Sequence, residues 1–299
     1  MLARLQRSLV LVLLVAAGAW ALIFTRLGYP GWGGAGGLLI LLGYALFLGF
    51  EFGLVYAVQE PGPAPRARVT ELLRAWWGEV VTAPRVFFWR QPFRSRAEPD
   101  HVPNQPTGQR GIVLVHGFVC NRGLWNPWMR RLRQTGTPHV AINLEPVFGA
   151  IDRYVVAIDS AVSQLEAATA LPPVIVAHSM GGLAIRAWLQ QRSAAHRLHS
   201  VVTIGTPHSG TWLARFAMTP NSRQMREGNH WLRDLESRES SATRALFTCY
   251  YGHCDNIVFP ARNAILSGAA NHHHVPGVAH VHLVFHAPIF DDVVSRTQA

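Results

Sequence analysis

The sequence predicts an α/β protein: a doubly wound, mostly parallel sheet preceded by an N-terminal transmembrane helical hairpin. Three observations carry this reading. From Arg110 onward, short apolar runs alternate with amphipathic helical patterns, as expected for strands buried on both faces by flanking helices. Near the N-terminus, residues 8–25 and 27–50 contain no charged side chain. In between these regions and the C-terminus lies Val174-Ile175-Val176-Ala177-His178-Ser179-Met180-Gly181-Gly182, where an apolar run stops at a serine and passes at once into a helical pattern.

The hairpin accounts for an unusual composition. Of 299 residues, 49% are hydrophobic and only 15% charged, too apolar for an ordinary water-soluble protein. Residues 38–58 form a second apolar stretch, long enough at ~1.5 Å per residue to cross a hydrocarbon layer of ~30 Å. It carries one carboxylate, Glu51, read as protonated or reaching the interface rather than functional. Residues 28–37, with Pro30 and a run of glycines, are expected to be the turn. The competing reading is a signal peptide, with a basic head at residues 1–7 and an apolar core at 9–24. The second apolar stretch so soon afterwards favours the hairpin.

Arginine counts set an orientation. Arg4 and Arg7 precede the first span, whereas residues 61–96 hold seven Arg against Glu71 and Glu79. The positive-inside rule then places both termini and the large C-terminal domain in the cytoplasm, at a bacterial inner membrane, with a periplasmic domain as the alternative. A net charge of +10 raises nucleic acid as a partner. All the basic side chains are arginine, and they are scattered or crowded beside the second span, so anionic membrane lipids explain them more simply, at about 1 kcal/mol per basic residue near the surface. Cys120, Cys249 and Cys254 are too few for a disulfide framework and wrongly spaced for zinc. The last two could close a small loop in an oxidising compartment.

Three regions follow: a two-helix anchor at 1–60, an Arg/aromatic juxtamembrane linker at 61–109, and a catalytic domain at 110–299. Proline marks the boundaries at 61–68 and 98–109. Residues 69–93, rich in Trp, Phe, Val and Arg, suit either a segment along a headgroup layer or a helix packed on the domain. Strands are expected at 112–115, 139–143, 174–177, 201–204 and 247–251, with an extended piece at 273–275. Helices are expected at 124–134, 151–168 and 180–192, and mixed helical character at 283–295. No internal repeat appears.

The serine turn is where chemistry concentrates. A sharp strand-to-helix reversal lifts a hydroxyl out of a sheet onto a helix N-terminus. Small residues are needed two places either side of it; here they are Ala177 and Gly181. Such a serine needs a base and a group to orient that base. On doubly wound sheets the chain order is nucleophile, acid, histidine. Asp255 follows the strand at 247–251 by the short turn Gly252-His253-Cys254, at the sheet edge where chemistry is placed. Glu227, Asp234, Glu236 and Glu239 lie in a polar helical stretch, and Asp291 and Asp292 come late in a terminal helix. Among the crowded histidines, His280 is presented by Gly277-Val278-Ala279; His282 is the alternative. Two backbone N–H groups should receive the oxyanion: Met180, on the helix N-terminus, and Phe118, after His116-Gly117.

His116, His178 and His208 read as hydrogen-bonded neighbours. His272 to His274 cannot all ligate one ion, because adjacent strand residues point to opposite faces, so no metal is assigned. Residues 211–247, with Trp212, Phe216, Met218, Met225, Trp231 and Leu235, read as a cap that binds acyl chains, with Trp212 and Phe216 as substrate-binding candidates, or as an ordinary packed helix. Asn121-Arg122 could meet a polar headgroup or anchor its loop.

Together, His116-Gly117-Phe118, Ala177-His178-Ser179-Met180-Gly181-Gly182, Gly205-Thr206-Pro207-His208-Ser209-Gly210-Thr211 and Gly277-Val278-Ala279-His280 resemble the bacterial lipase and esterase families of the α/β-hydrolase superfamily. The alanine in the elbow is similar to the small lidless Bacillus-type lipases. The Gly-Thr-Pro-His-Ser-Gly run is similar to larger triacylglycerol lipases and to deacylases acting on lipid anchors. The resemblance covers about 111–294 and leaves out the hairpin and the aromatic segment. It implies a serine hydrolase that cleaves carboxylic esters of lipids or other acyl compounds. Ser179, Asp255 and His280 would be its triad, Phe118 and Met180 its oxyanion donors, and no cofactor is implied. Some larger relatives bind a structural calcium; no residues here are assigned to one. A thioesterase, amidase or acyltransferase would use the same triad, and a non-catalytic membrane binding protein is the remaining alternative.

Overall fold

The computed structural model describes residues 1–60, 62–106 and 108–298. Its centre is a six-stranded sheet in the order β2-β1-β3-β4-β5-β6, every neighbouring pair parallel. The strands are β1 (Ile112–Val115), β2 (His139–Ala141), β3 (Val174–His178), β4 (Ser200–Ile204), β5 (Phe247–Tyr251) and β6 (Asn271–His274). Because strand side chains alternate faces, each apolar run feeds two cores. Val113, Val115, Ile175, Ala177, Val201 and Phe247 pack beneath the helices Val155–Thr169 and Met180–Arg192. Their neighbours Ile112, Leu114, Val174, Val176, Val202 and Ile204 pack beneath the helices Asn126–Gln134 and Ala287–Ser295. The expected doubly wound parallel sheet is the observed one.

The N-terminal region is two long helices, α1 (Leu2–Arg26) and α2 (Pro30–Val58), both long and apolar enough to cross a membrane. The turn between them is shorter than the glycines suggested. It is confined to residues 27–29, and residues 30–37 are the first turns of α2. Those glycines serve packing instead. A Cβ on Gly33 would lie 2.8 Å from the Ala21 carbonyl oxygen, and one on Gly37 3.3 Å from that of Ala17. Small residues four apart let two apolar helices approach closely.

The aromatic segment forms α3 (Val69–Pro84), continued by a π-helical turn at Arg85–Arg90. Pro84 lacks the N–H that would continue the α-helical ladder. Of the two expected roles, packing claims one face: Leu72, Ala75, Glu79 and Val86 are buried, while Leu73, Trp77 and Trp89 are exposed. The Tyr44 hydroxyl donates to the Val80 carbonyl at 3.0 Å, and Trp76 Nε1 donates to the Ala45 carbonyl at 2.9 Å, fixing α3 on α2.

Beyond β4, the stretch expected to be one cap is broken into short helices at Trp212–Phe216, Pro220–Gln224, His230–Arg238 and Ser241–Arg244. Leu235 and Trp231 pack against the main core, so only the first part stands over the site. The second part is fastened by Arg186, whose guanidinium meets both oxygens of Glu239 at 2.6 and 2.8 Å and the His208 carbonyl at 2.8 Å. Both side chains of that ion pair are at least 98% buried. Removing Arg186 leaves the buried Glu239 only its longer contact with Arg244, at 3.5 Å, so Arg186→Met should cost up to about 3–5 kcal/mol of stability, read as a lower thermal midpoint of the full-length protein in detergent. An unchanged midpoint would contradict the account.

Candidate active site

Ser179 stands at the C-terminal end of β3 with φ +55° and ψ −129°. A non-glycine residue stays in that region only when its surroundings over-determine it. Here the Ser179 N–H donates to the Ile204 carbonyl at 2.9 Å, while its own carbonyl accepts from the Gly182 N–H at 3.0 Å and the Thr206 hydroxyl at 2.9 Å. Small neighbours are indeed required: a Cβ on Gly181 would lie 2.7 Å from the His116 carbonyl oxygen.

Asp255 and His280 meet beside this turn. His280 Nδ1 is 2.8 Å from Asp255 Oδ2, and the other carboxylate oxygen accepts the Ile257 and Val258 N–H groups at 2.8 and 2.7 Å. Both side chains are buried. Burial opposes a charged His280, yet the Asp255 carboxylate, helped by Glu79, carries its pKa above the ordinary 6.5. Gly205, at φ +57°, forms the floor beneath the pair; a Cβ there would lie 3.0 Å from Asp255 Oδ2 and 3.1 Å from His280 Nδ1. Ser179, His280 and Phe118 all line one cavity of about 570 Å³.

Among the described residues, neither the Phe118 nor the Met180 N–H donates a hydrogen bond within the protein. Both flank the serine and are free to receive an anion. The loop bearing Phe118 is held by His116, which accepts the Leu144 N–H on Nε2 at 3.0 Å and donates from Nδ1 to the Gly117 carbonyl at 2.9 Å. Burial lowers the His116 pKa to about 4 and keeps the ring neutral. His178 donates from Nε2 to the His280 carbonyl at 3.3 Å, and His208 bonds Thr203 Oγ1 at 3.1 Å. Burial drives both well below the ordinary histidine value. All three are structural neighbours.

The other candidates lie elsewhere. The His282 ring lies against Gly78 of α3, and the Asp255 carboxylate bonds His280 instead. Glu239 pairs with Arg186, Asp234 with Arg238, Asp291 with Arg131 and Asp292 with Arg296, and Glu227 accepts from Asn263 at 2.7 Å. His273 stacks on Tyr250, and His274 meets His253 at 2.6 Å. Asn121 caps its own turn and Arg122 pairs with Asp100 at 2.6 Å, so both anchor their loop. The three cysteines are free and buried.

Trp212, Phe216, Met218 and Met225 line a second apolar cavity, of about 540 Å³, which also reaches Ser179. Phe47, Phe50 and Leu54 of α2 form its opposite wall. The cavity of about 570 Å³ is walled by Tyr44, Phe47 and Leu48 of α2, together with Phe87 and Phe88. The serine thus lies between two apolar spaces, and the N-terminal helices supply much of their lining. Sequence reading missed this, and it missed Glu79, Asn256 and the contact of Glu51 with the site. For Glu79 a signal was present: with Leu72, Ala75 and Thr82 it falls on the buried stripe of α3.

No protein-family model matches the sequence, and no curated protein matches it. Solved structures do. The mature form of the lipase BlEst2 from Bacillus licheniformis superposes with a TM-score of 0.56 at 18% identity, covering 65% of this chain and 96% of that one. Its propeptide form gives 0.56 at 17%, and there the chain spans 52% of the longer protein. Aspergillus fumigatus lipase B gives 0.49 at 20%, covering 73% of this chain and 56% of that one. The sheet has the α/β-hydrolase fold. At such identities the likeness speaks for the fold alone.

The site makes a prediction that needs no substrate. The NMR signal of His280, assigned by its loss in His280→Ala, should titrate above 6.5, the ordinary value. Asp255→Asn should move that titration down, because burial of the imidazolium then loses its main counterweight. An unmoved midpoint would contradict the electrostatics described.

Proposed function

We propose that this chain is a membrane-anchored serine hydrolase that cleaves carboxylic esters of lipids or other acyl compounds. The observation that carries the reading is the 2.8 Å contact between His280 Nδ1 and Asp255 Oδ2 in a cavity shared with Ser179. Asp255 holds the imidazole by Nδ1, which leaves Nε2 to act as the base toward Ser179. His280 removes the hydroxyl proton as Ser179 attacks the ester carbonyl, and it returns that proton to the leaving alcohol. The tetrahedral oxyanion is received by the Phe118 and Met180 N–H groups; losing one such donor typically costs about 10²–10³ in turnover. Water, activated by the same histidine, then releases the acid from the acyl-enzyme.

The two apolar cavities favour acyl substrates. No arginine lines either one, so a hydrocarbon chain, not an anionic group, suits them. The anchor reading rests on burial. Residues such as Leu11, Val15, Leu22, Leu38, Leu42 and Leu46 are exposed, an apolar surface far larger than water-soluble proteins leave uncovered. The N-terminal end of α1 is docked on the rest of the chain, with Gln6 bonding Gln91 at 2.8 Å and Arg7 the Pro92 carbonyl at 3.0 Å. Such docking favours a retained helix over a removed signal. The arginine bias favours the cytoplasmic side of a bacterial inner membrane for the catalytic domain, with the periplasmic side as the alternative.

In full-length protein purified in detergent, Ser179→Ala should lower p-nitrophenyl butyrate turnover by about 10⁴-fold or more, and a fluorophosphonate probe should label the unaltered protein but not the variant. His280→Ala should be equally inactive and His282→Ala should not; the reverse pattern would make His282 the base. Topology is a separate matter. A reporter fused after Ala299 should be active only in a cytoplasmic form, and a periplasmic signal would reverse the orientation.

A further inference from the structure

The proposed chemistry leaves two buried carboxylates around the histidine without a role, and both come from the N-terminal helices. Glu79 of α3 is 2% exposed. One of its oxygens accepts the Val281 N–H at 3.1 Å and the other the His282 N–H at 3.0 Å. Glu51 of α2 accepts from Asn256 Nδ2 at 2.7 Å, and Asn256 Oδ1 accepts the His280 N–H at 3.3 Å. These three N–H groups open the short helix His280–Leu283, and the first N–H groups of a helix have no acceptor within it. Two are therefore held directly by α3, and the third through Asn256 by α2.

An ordinary cap would not need this arrangement. A serine or asparagine at Ala279 could satisfy one such donor from within the loop, without burying a charge. Instead a carboxylate is fully enclosed, and burial pushes its pKa up to about 7 despite the two N–H bonds it accepts. The carboxylate also acts at a distance on the imidazole, adding to Asp255 in favouring the protonated ring. The other groups around that ring are Asp255 from the loop after β5, Glu51 from α2, and neutral His178 from β3. Close approach of α3 is permitted by Gly78, where any Cβ would collide with His282. The oxyanion loop has a similar link, since Gln6 Nε2 of α1 lies 3.4 Å from the Val119 carbonyl.

We propose that Glu79, and Glu51 acting through Asn256, are positioning residues for His280, which makes the N-terminal helices a working part of the active site as well as an anchor. The inference rests on Ser179 and His280 being nucleophile and base. Its physical content is alignment. The helix His280–Leu283 is a single turn, anchored in the core by Val281 and Leu283, and the direction of the imidazole at its first position also depends on what grips its first N–H groups. Misplacing a catalytic group by about 1 Å can cost 10²-fold in rate. Glu51, Glu79 and Asn256 also line the cavity of about 570 Å³, but their polar atoms are engaged within the protein, so the loss is expected in kcat rather than in KM.

The test uses full-length protein in nanodiscs, with active sites counted by fluorophosphonate labelling. Glu79→Ala removes both acceptors, Glu79→Gln keeps one, and Asn256→Ala cuts the link from Glu51. Per labelled serine, Glu79→Ala and Asn256→Ala should lower kcat for p-nitrophenyl butyrate tenfold or more while KM stays within twofold, and the labelling rate should fall in parallel. Glu79→Gln should recover part of the loss. Should Glu79→Ala not fold, the near-isosteric Glu79→Gln and Asn256→Ala still decide. If both match the unaltered protein per labelled serine, the carboxylates are structural and the inference fails. A loss appearing only in the fraction of serine labelled, with kcat per site intact, overturns it equally. Turnover surviving in Ser179→Ala would overturn the parent reading along with it; an inactive Ser179→Ala beside unaffected Glu79 and Asn256 variants overturns this inference alone.

Discussion

A carboxylate and an imidazole in contact inside an apolar wall are stable in one arrangement only if the polar atoms around them are also satisfied. Each buried donor or acceptor left unmade costs about 1–3 kcal/mol, and the surroundings of Asp255 and His280 leave few unmade. The second Asp255 oxygen takes two backbone N–H groups from its own loop. The His280 N–H is taken by Asn256, the next two by Glu79, and the His280 carbonyl by His178. Three separate parts of the chain, the loop after β5, α3 and β3, therefore converge on one short loop. Opposite it, the strained backbone of Ser179 is held by Ile204 and Thr206 from the neighbouring strand and its loop.

That convergence changes how the N-terminal region is understood. Two apolar helices followed by an arginine-rich segment look separable from the sheet domain, and in sequence they are. In space α2 turns Phe47, Phe50 and Leu54 toward the serine, and α3 sends Glu79 behind the histidine. The same apolar character that would hold the hairpin in a bilayer lines the space where an acyl chain would lie. A lipid in the surrounding membrane and a lipid in the cleft would meet chemically similar surfaces, which lowers the cost of transfer between them.

Legibility followed the range of the interactions. Strands such as Phe247–Tyr251 and the helix Met180–Arg192 lie where their patterns put them, because apolar periodicity is a local property. Glycine was misread in the hairpin. Residues 30–37 suggested a turn by composition, but inside an apolar helix pair a missing side chain permits close packing. The cap was half legible: Trp212 and Phe216 line the cleft, whereas Trp231 and Leu235 face the core, and helical spacing alone cannot say which apolar body a stripe will meet. Asp255 stood out because a short turn joins it to a strand end, and that rule is topological rather than three-dimensional.

By itself, the sequence determined the alternation of strands and helices, the parallel doubly wound sheet, the sharp turn at Ser179 and the presence of two spans' worth of apolar residues. Each follows from periodicity, turn chemistry or length, which neighbouring residues decide among themselves. Only the tertiary structure decided that Asp255 and not Glu239 meets a histidine, that His280 and not His282 faces it, that Glu51 reaches Asn256 across 205 positions of chain, and that Glu79 reaches Val281 across 202. Such contacts depend on how whole elements pack, and no spacing along one segment records the position of another.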